Sequence, residues 1–179
     1  MKINFLLLTL LGLLCHSMVN AQKITKRFVS KSTESGIIYF IKPHEMPYHG
    51  NNKLVAKPML YDLTVLTHSD SVAFCASIFS KEPVLLEQVQ VTISDGTTYT
   101  LPLQKILVGM EKKYFKNRYR FYLTKKQLNA MYGGSKPFDV GFGNGIVFSI
   151  KKGSWAEERR AYNAIINLST INEQIQSTQ

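Results

Sequence analysis

The residues best suited to chemistry are cations set at a spacing of two. Lys116, Arg118 and Arg120 alternate with Asn117, Tyr119 and Phe121. Successive side chains of a strand point to opposite faces, so Tyr114, Lys116, Arg118, Arg120 and Tyr122 would form one row with steps of about 6.6–6.8 Å. Lys112, Lys113, Lys125 and Lys126 flank that row. Cations interleaved with aromatic rings suit a polyanion, because arginine bonds carboxylate or phosphate in a bidentate fork. The expected partners are an anionic polysaccharide, an envelope lipid or another exported protein. The same pattern also serves as a solvated strand face or as an edge strand guarded by charge.

A second group is His44, Glu45 and His49, in His44-Glu45-Met46-Pro47-Tyr48-His49. A zinc-protease helix needs histidines four apart so that both leave one face. Here they are five apart, and Pro47 breaks a helix. A loop bringing His44, Glu45 and His49 around a metal is the weaker alternative. With His68 added, the same residues make the candidate site of a small hydrolase. No cofactor is expected.

Three further motifs dissolve into ordinary structure. His68-Ser69-Asp70-Ser71 holds all the residue types of a catalytic triad, but a triad is assembled from separate elements, and adjacent residues read as a polar turn. Gly141-Phe142-Gly143-Asn144-Gly145 resembles a phosphate loop, yet it leads into a strand rather than a helix and lacks Gly-Lys-Ser/Thr. Cys75 lies mid-strand between Phe74 and Ala76, where burial is expected rather than the electropositive exposure of a reactive thiolate.

The elements that position these residues are mostly strands. The segments 24–30 and 36–42 read as a pair joined by Thr33-Glu34-Ser35-Gly36, with Ile37 to Ile41 apolar enough to be covered on both faces. Pro43 to Ala56 is aperiodic and reads as the longest loop. Met59, Tyr61, Leu63 and Val65 share one face; Val72, Phe74, Ala76 and Ile78 share another in what reads as a central strand. Two hairpins follow from register. A three-residue loop Ser94-Asp95-Gly96 sets Val91 against Tyr99 and Val89 against Leu101. A three-residue loop Gly143-Asn144-Gly145 sets Val140 against Phe148. Thr124 to Gln127 fits a capping box, with Gly133 and Gly134 ending a two-turn helix. Ser154 to Glu157 fits a second box, opening an amphipathic helix with Ala161, Ile165 and Leu168 on its stripe and an end near Asn172. Trp155 reads as its anchor.

The expected fold is α+β, mainly antiparallel β in a sandwich-like or curved sheet, with a short helix and a C-terminal amphipathic helix packed against it. Lys2, the apolar run from Phe5 to Leu14 and Val19-Asn20-Ala21 have the layout of a secretory leader, too short to span a membrane. Leu14 before Cys15 speaks against a lipoprotein. The expected organisation is a signal peptide over 1–21, one mainly-β domain over 22–172 and a flexible tail over 173–179. Among the residues after the leader Cys75 is the one cysteine, which excludes an internal disulfide scaffold. The 179-residue chain carries a formal charge of +10, and loss of Lys2 with the leader leaves it strongly basic. Such a balance favours acidic partners, while export argues against nucleic acid. The combination resembles exported proteins of Gram-negative bacteria. The expected function is therefore non-enzymatic binding or envelope association in the periplasm or outside the cell. The alternatives are the small hydrolase or metal-binding protein and a structural assembly subunit.

Overall fold

The computed structural model describes residues 27–177. The leader reading for 1–21 lies outside them. Among the described residues ten strands form two antiparallel sheets, accompanied by two helices.

The larger sheet has the order β1-β2-β3-β4-β8-β7. Its strands are β1 (Phe28–Thr33), β2 (Gly36–Met46), β3 (Val55–Leu66), β4 (Ser71–Ser80), β7 (Gln104–Glu111) and β8 (Tyr114–Thr124). The smaller has the order β10-β9-β5-β6. It comprises β5 (Gln88–Thr92), β6 (Thr98–Pro102), β9 (Asp139–Gly141) and β10 (Val147–Ser149). The helices are α1 (Lys125–Gly133) and α2 (Lys152–Ser177).

Alternation decides which face of the large sheet is core. Met59, Tyr61, Leu63 and Val65 of β3, and Val72, Phe74, Ala76 and Ile78 of β4, are all at most 1% exposed. Tyr119, Phe121 and Leu123 extend that face onto β8. These side chains share one cluster with Val89, Val91, Val140 and Phe148 of the small sheet and with Leu128, Met131, Tyr132, Trp155, Tyr162 and Ile165 of the helices. The small sheet and both helices thus cover a single side of the large sheet. Among the described residues no further element covers the other side.

Both hairpins have the registers expected from their buried faces: Val91 opposite Tyr99, Val89 opposite Leu101, and Val140 opposite Phe148. The Ile93 N–H donates to the Thr97 carbonyl at 2.9 Å, closing the loop Ser94-Asp95-Gly96, with Gly96 at φ +89°. The Phe142 N–H donates to the Ile146 carbonyl at 2.8 Å, and Gly145 sits at φ +72°, where a Cβ would meet Asn51 Oδ1. The capping box on α1 forms in both directions between Thr124 and Gln127.

Several expectations are corrected. Strand β2 runs on through Pro43 to Met46, and β3 begins at Val55, so the loop between them is shorter than 43–56. A register shift between Ile41 and His44 accommodates the proline, which has no N–H to give the ladder. Segment 36–42 is not covered on both faces: Tyr39 and Ile41 are buried, but Phe40 is 39% exposed. Strand β7 has no clean alternation to mark it in the sequence; its pairing with β8 organises it. Helix α2 starts at Lys152, so Ser154 is inside the first turn rather than at the cap, and the helix passes Asn172 to reach Ser177. Its buried stripe is Trp155, Ala161, Tyr162, Ile165 and Ser169, whereas Leu168 and Ile171 are exposed. Trp155 does anchor the helix, with its ring 5.7 Å from Tyr132 and 5.9 Å from Phe138. Among the described residues no helix is long and apolar enough to cross a membrane.

Candidate binding face

Strand β8 lies between β4 and β7, so it is an interior strand and its charges do not guard an edge. Asn117, Tyr119, Phe121 and Leu123 point into the protein. Tyr114, Lys116, Arg118, Arg120 and Tyr122 therefore share the solvent side, in the single row that the alternation predicts.

The basic side chains do not stand out into water. They lie flat over β4, whose solvent-side residues Cys75, Ser77 and Phe79 are opposite Arg120, Arg118 and Lys116 in the ladder. Arg118 reaches across β4, donating to Ser77 Oγ at 3.0 Å and to Asp62 Oδ2 of β3 at 2.8 Å. Lys116 bonds Glu111 at 3.0 Å, and that bond leads the effects that hold the Glu111 carboxyl below its usual range. Lys57 comes within 4.0 Å of Glu111 and places its ammonium 3.6 Å above the centre of the Phe79 ring. The stems of these side chains cover apolar surface while their heads stay wet.

Arg120 differs from its neighbours. Its Nη1 donates to the Tyr122 hydroxyl at 3.4 Å and its guanidinium packs on Cys75. The bond to Tyr122, then that to Cys75, raises its pKa further above the ordinary arginine value. Among the described residues it has no acidic partner, and its Nε is buried without a hydrogen bond. Cys75 is buried, as expected, but by Arg120 on the solvent side of the sheet and outside the apolar core cluster.

No family model matches the chain, and no curated protein or solved structure is similar to it. Function must therefore be argued from the side chains.

The residues that sequence reasoning missed are Asp62, Ser77, Glu111 and Tyr122's neighbour Ala73. Asp62, Ser77 and Ala73 join the row only through strand pairing, and nothing in the local pattern around β8 signals them, whereas Glu111 directly precedes Lys112 and reaches Lys116 across the β7–β8 turn.

The histidines do not converge. His68 sits in the β3–β4 turn against Gly36, at the start of β2. His44 lies on the order of 25 Å further along β2 at about 3.3 Å per residue. Glu45 follows His44 on the strand and so belongs to its opposite side. His49 is exposed, with its N–H on the Val147 carbonyl at 2.8 Å. Among the described residues no three His, Cys, Asp or Glu side chains group as metal ligands. Ser69, Asp70 and Ser71 make the polar turn expected of them: Asp70 accepts the Lys125 N–H through both its carbonyl and its side chain.

His44 instead joins a half-buried polar knot under α2. Glu158 accepts from Arg27 at 2.8 Å and from the Tyr61 hydroxyl at 3.3 Å, and His44 Nδ1 is 3.6 Å away. Beside the knot lies a cavity of about 510 Å³, lined by Glu45, Tyr48, Lys57, Lys151, Ser154 and Glu158 among others. Burial lowers the His44 pKa despite the opposing pull of Glu158, and Arg27 adds to the lowering. The folded protein then releases the His44 proton at lower pH than the unfolded chain, which takes one up near pH 6.5. The unfolded state binds more protons in that range, so stability falls as pH drops through about 6.5 and is regained above it. Urea midpoints measured from about pH 5 to 8 should show this slope, and His44→Gln should flatten it. An unchanged slope would mean that other groups carry the titration.

Proposed function

We propose that this is an exported, envelope-associated binding protein that contacts an anionic partner through the solvent face of β8. The observation that carries the reading is Arg120, a guanidinium on the open side of the sheet whose contacts are a hydroxyl and a thiol. Its neighbours Lys116 and Arg118 already have carboxylates. The segment from Lys112 to Lys126 contains no acidic residue, so the local field is positive in spite of those pairs. Export rests on the leader pattern over 1–21. Binding is favoured over hydrolysis by the separation of His44, His49 and His68.

The test is retention on native envelope material at low and at moderate salt. Wild type should bind at low salt and weaken steeply as salt rises, because exposed charges are screened within about 8 Å at physiological ionic strength. Arg120→Glu should weaken binding at least about tenfold, since like charges set against a partner's surface repel it. Arg118→Glu should weaken it as well, with some loss of stability because Asp62 then faces a second carboxylate. Full retention by Arg120→Glu would remove this face from consideration.

A further inference from the structure

The same face has a shape as well as a charge. Register places Phe40, Thr64, Ala73 and Tyr122 side by side across β2, β3, β4 and β8. Phe40 and Tyr122 are large and stand 39% and 44% exposed. Thr64 and Ala73 between them are small. Three strand spacings of about 4.8 Å put the two rings roughly 14 Å apart. The result is a shallow trough along β3 and β4, with aromatic walls and a floor of small side chains.

One end of the trough is closed. Arg118 crosses the floor to Asp62, two positions along β3 from Thr64. Between that bar and Tyr122 lies Arg120, held in place by the Tyr122 hydroxyl and without a carboxylate of its own. The aromatic walls offer flat apolar faces, and the closed end offers a positioned fork of N–H donors.

We infer that this trough binds an acidic disaccharide, one ring against Tyr122 with its carboxylate on Arg120 and the second ring reaching Phe40. The inference rests on the proposed function and names the partner's chemistry. Two features favour a sugar over a bilayer. The floor is small and partly polar. The cation is a fixed arginine rather than mobile lysines reaching out to headgroups. A carboxylate supplies the charge that Arg120 lacks, and the C–H faces of a pyranose match the rings.

The experiment titrates the purified chain, by calorimetry and by amide chemical shifts, with digalacturonate, with a glucuronate-containing disaccharide and with neutral galactobiose. Phosphatidylglycerol vesicles and dextran sulfate are run in parallel. The expected result is saturable binding of at least one acidic disaccharide and none of galactobiose, with shifts confined to β2, β3, β4 and β8. Arg120→Gln and Phe40→Ala should each weaken it at least about tenfold, the range for losing a charge-assisted bond or a stacked ring. Tyr122→Phe, which keeps the ring, should bind better than Tyr122→Ala. Unfolding midpoints confirm that each variant is folded.

Failure to bind either acidic disaccharide overturns the inference, as does binding that ignores both Arg120→Gln and Phe40→Ala. Dextran sulfate binding lost in Arg120→Glu, without disaccharide binding, would leave the broader reading standing and remove the trough. Vesicle binding lost in Phe40→Ala, again without sugar binding, would assign the face to lipid. Binding of no anionic probe and no envelope material would end both.

Discussion

Phe74→Ala lowers the free energy of unfolding by about 4 kcal/mol, the middle of the range for a buried phenylalanine. Phe74 is fully buried on β4, the strand shared by β3 and β8. Its ring stacks between Tyr61, at 5.2 Å, and Phe121, at 4.6 Å. Truncation removes the buried ring surface and leaves a space that rigid strands on both sides cannot close. It also frees Tyr61, whose hydroxyl is bonded to Glu158, so the damage reaches helix α2. A domain of this size has on the order of 5–15 kcal/mol to lose, so the variant should be folded but fragile at room temperature. Phe74→Leu keeps most of the volume and should cost about 1.5 kcal/mol. Urea unfolding followed by tyrosine fluorescence and circular dichroism measures both. A loss under about 1.5 kcal/mol for the alanine variant would show that Tyr61 and Phe121 collapse into the space.

Glu158→Ala should cost about 3 kcal/mol, because removing one partner of a half-buried ion pair leaves the other charge desolvated. The Glu158 side chain is 13% exposed and Arg27 is 20% exposed. Loss of Glu158 leaves Arg27 with Glu157, whose side chain is 55% exposed and better screened. Tyr61 loses its acceptor in the same step. The pair joins the chain segment entering β1 to the first turns of α2, so its rupture should loosen both. The diagnostic measurement is a double-mutant cycle with Arg27→Ala. The double variant should be at least about 1 kcal/mol more stable than the sum of the single losses predicts, since nothing charged is then left stranded. Additive losses would mean that the two side chains act independently. The salt dependence of the coupling should be small compared with that of Lys57 and Glu111 on the open face, because burial limits screening.

Both variants act at places where the core and the helix meet, and neither touches the trough. That separation makes the binding variants informative. Arg120→Gln removes a side chain with no carboxylate partner, so it should leave the unfolding midpoint nearly unchanged. Arg118 is bonded to Asp62 and Ser77, and its replacement mixes a stability effect with a binding effect.

By itself, the sequence determined those features whose cause is local. Alternation over β3 and β4 named the buried residues correctly, because a strand with one face in the core leaves no other register. The loops at Gly96 and Gly143-Asn144-Gly145 followed from the same constraint and from glycine at the left-handed position. The Thr124 box marked the start of α1 because capping involves residues three apart. The α+β class and the row from Tyr114 to Tyr122 were legible for the same reason.

Tertiary structure decided everything that depends on what lies opposite. Ser154 does not cap α2, since the helix already begins at Lys152, and Glu157 and Glu158 pair with Arg27, far away in the chain. Leu168 and Ile171 fit a helical stripe by spacing, yet they are exposed, because Ser169 and Asn172 lie on the side of α2 that meets the sheet, Asn172 bonding Tyr39 of β2. Lys116 and Arg118 look alike in sequence to Arg120, but Glu111 and Asp62 reach the first two and no acid reaches the third. The trough joins four strands that no local pattern links. Side-chain direction is a property of the nearest few residues, whereas partnership and shape belong to strands brought together from distant parts of the chain.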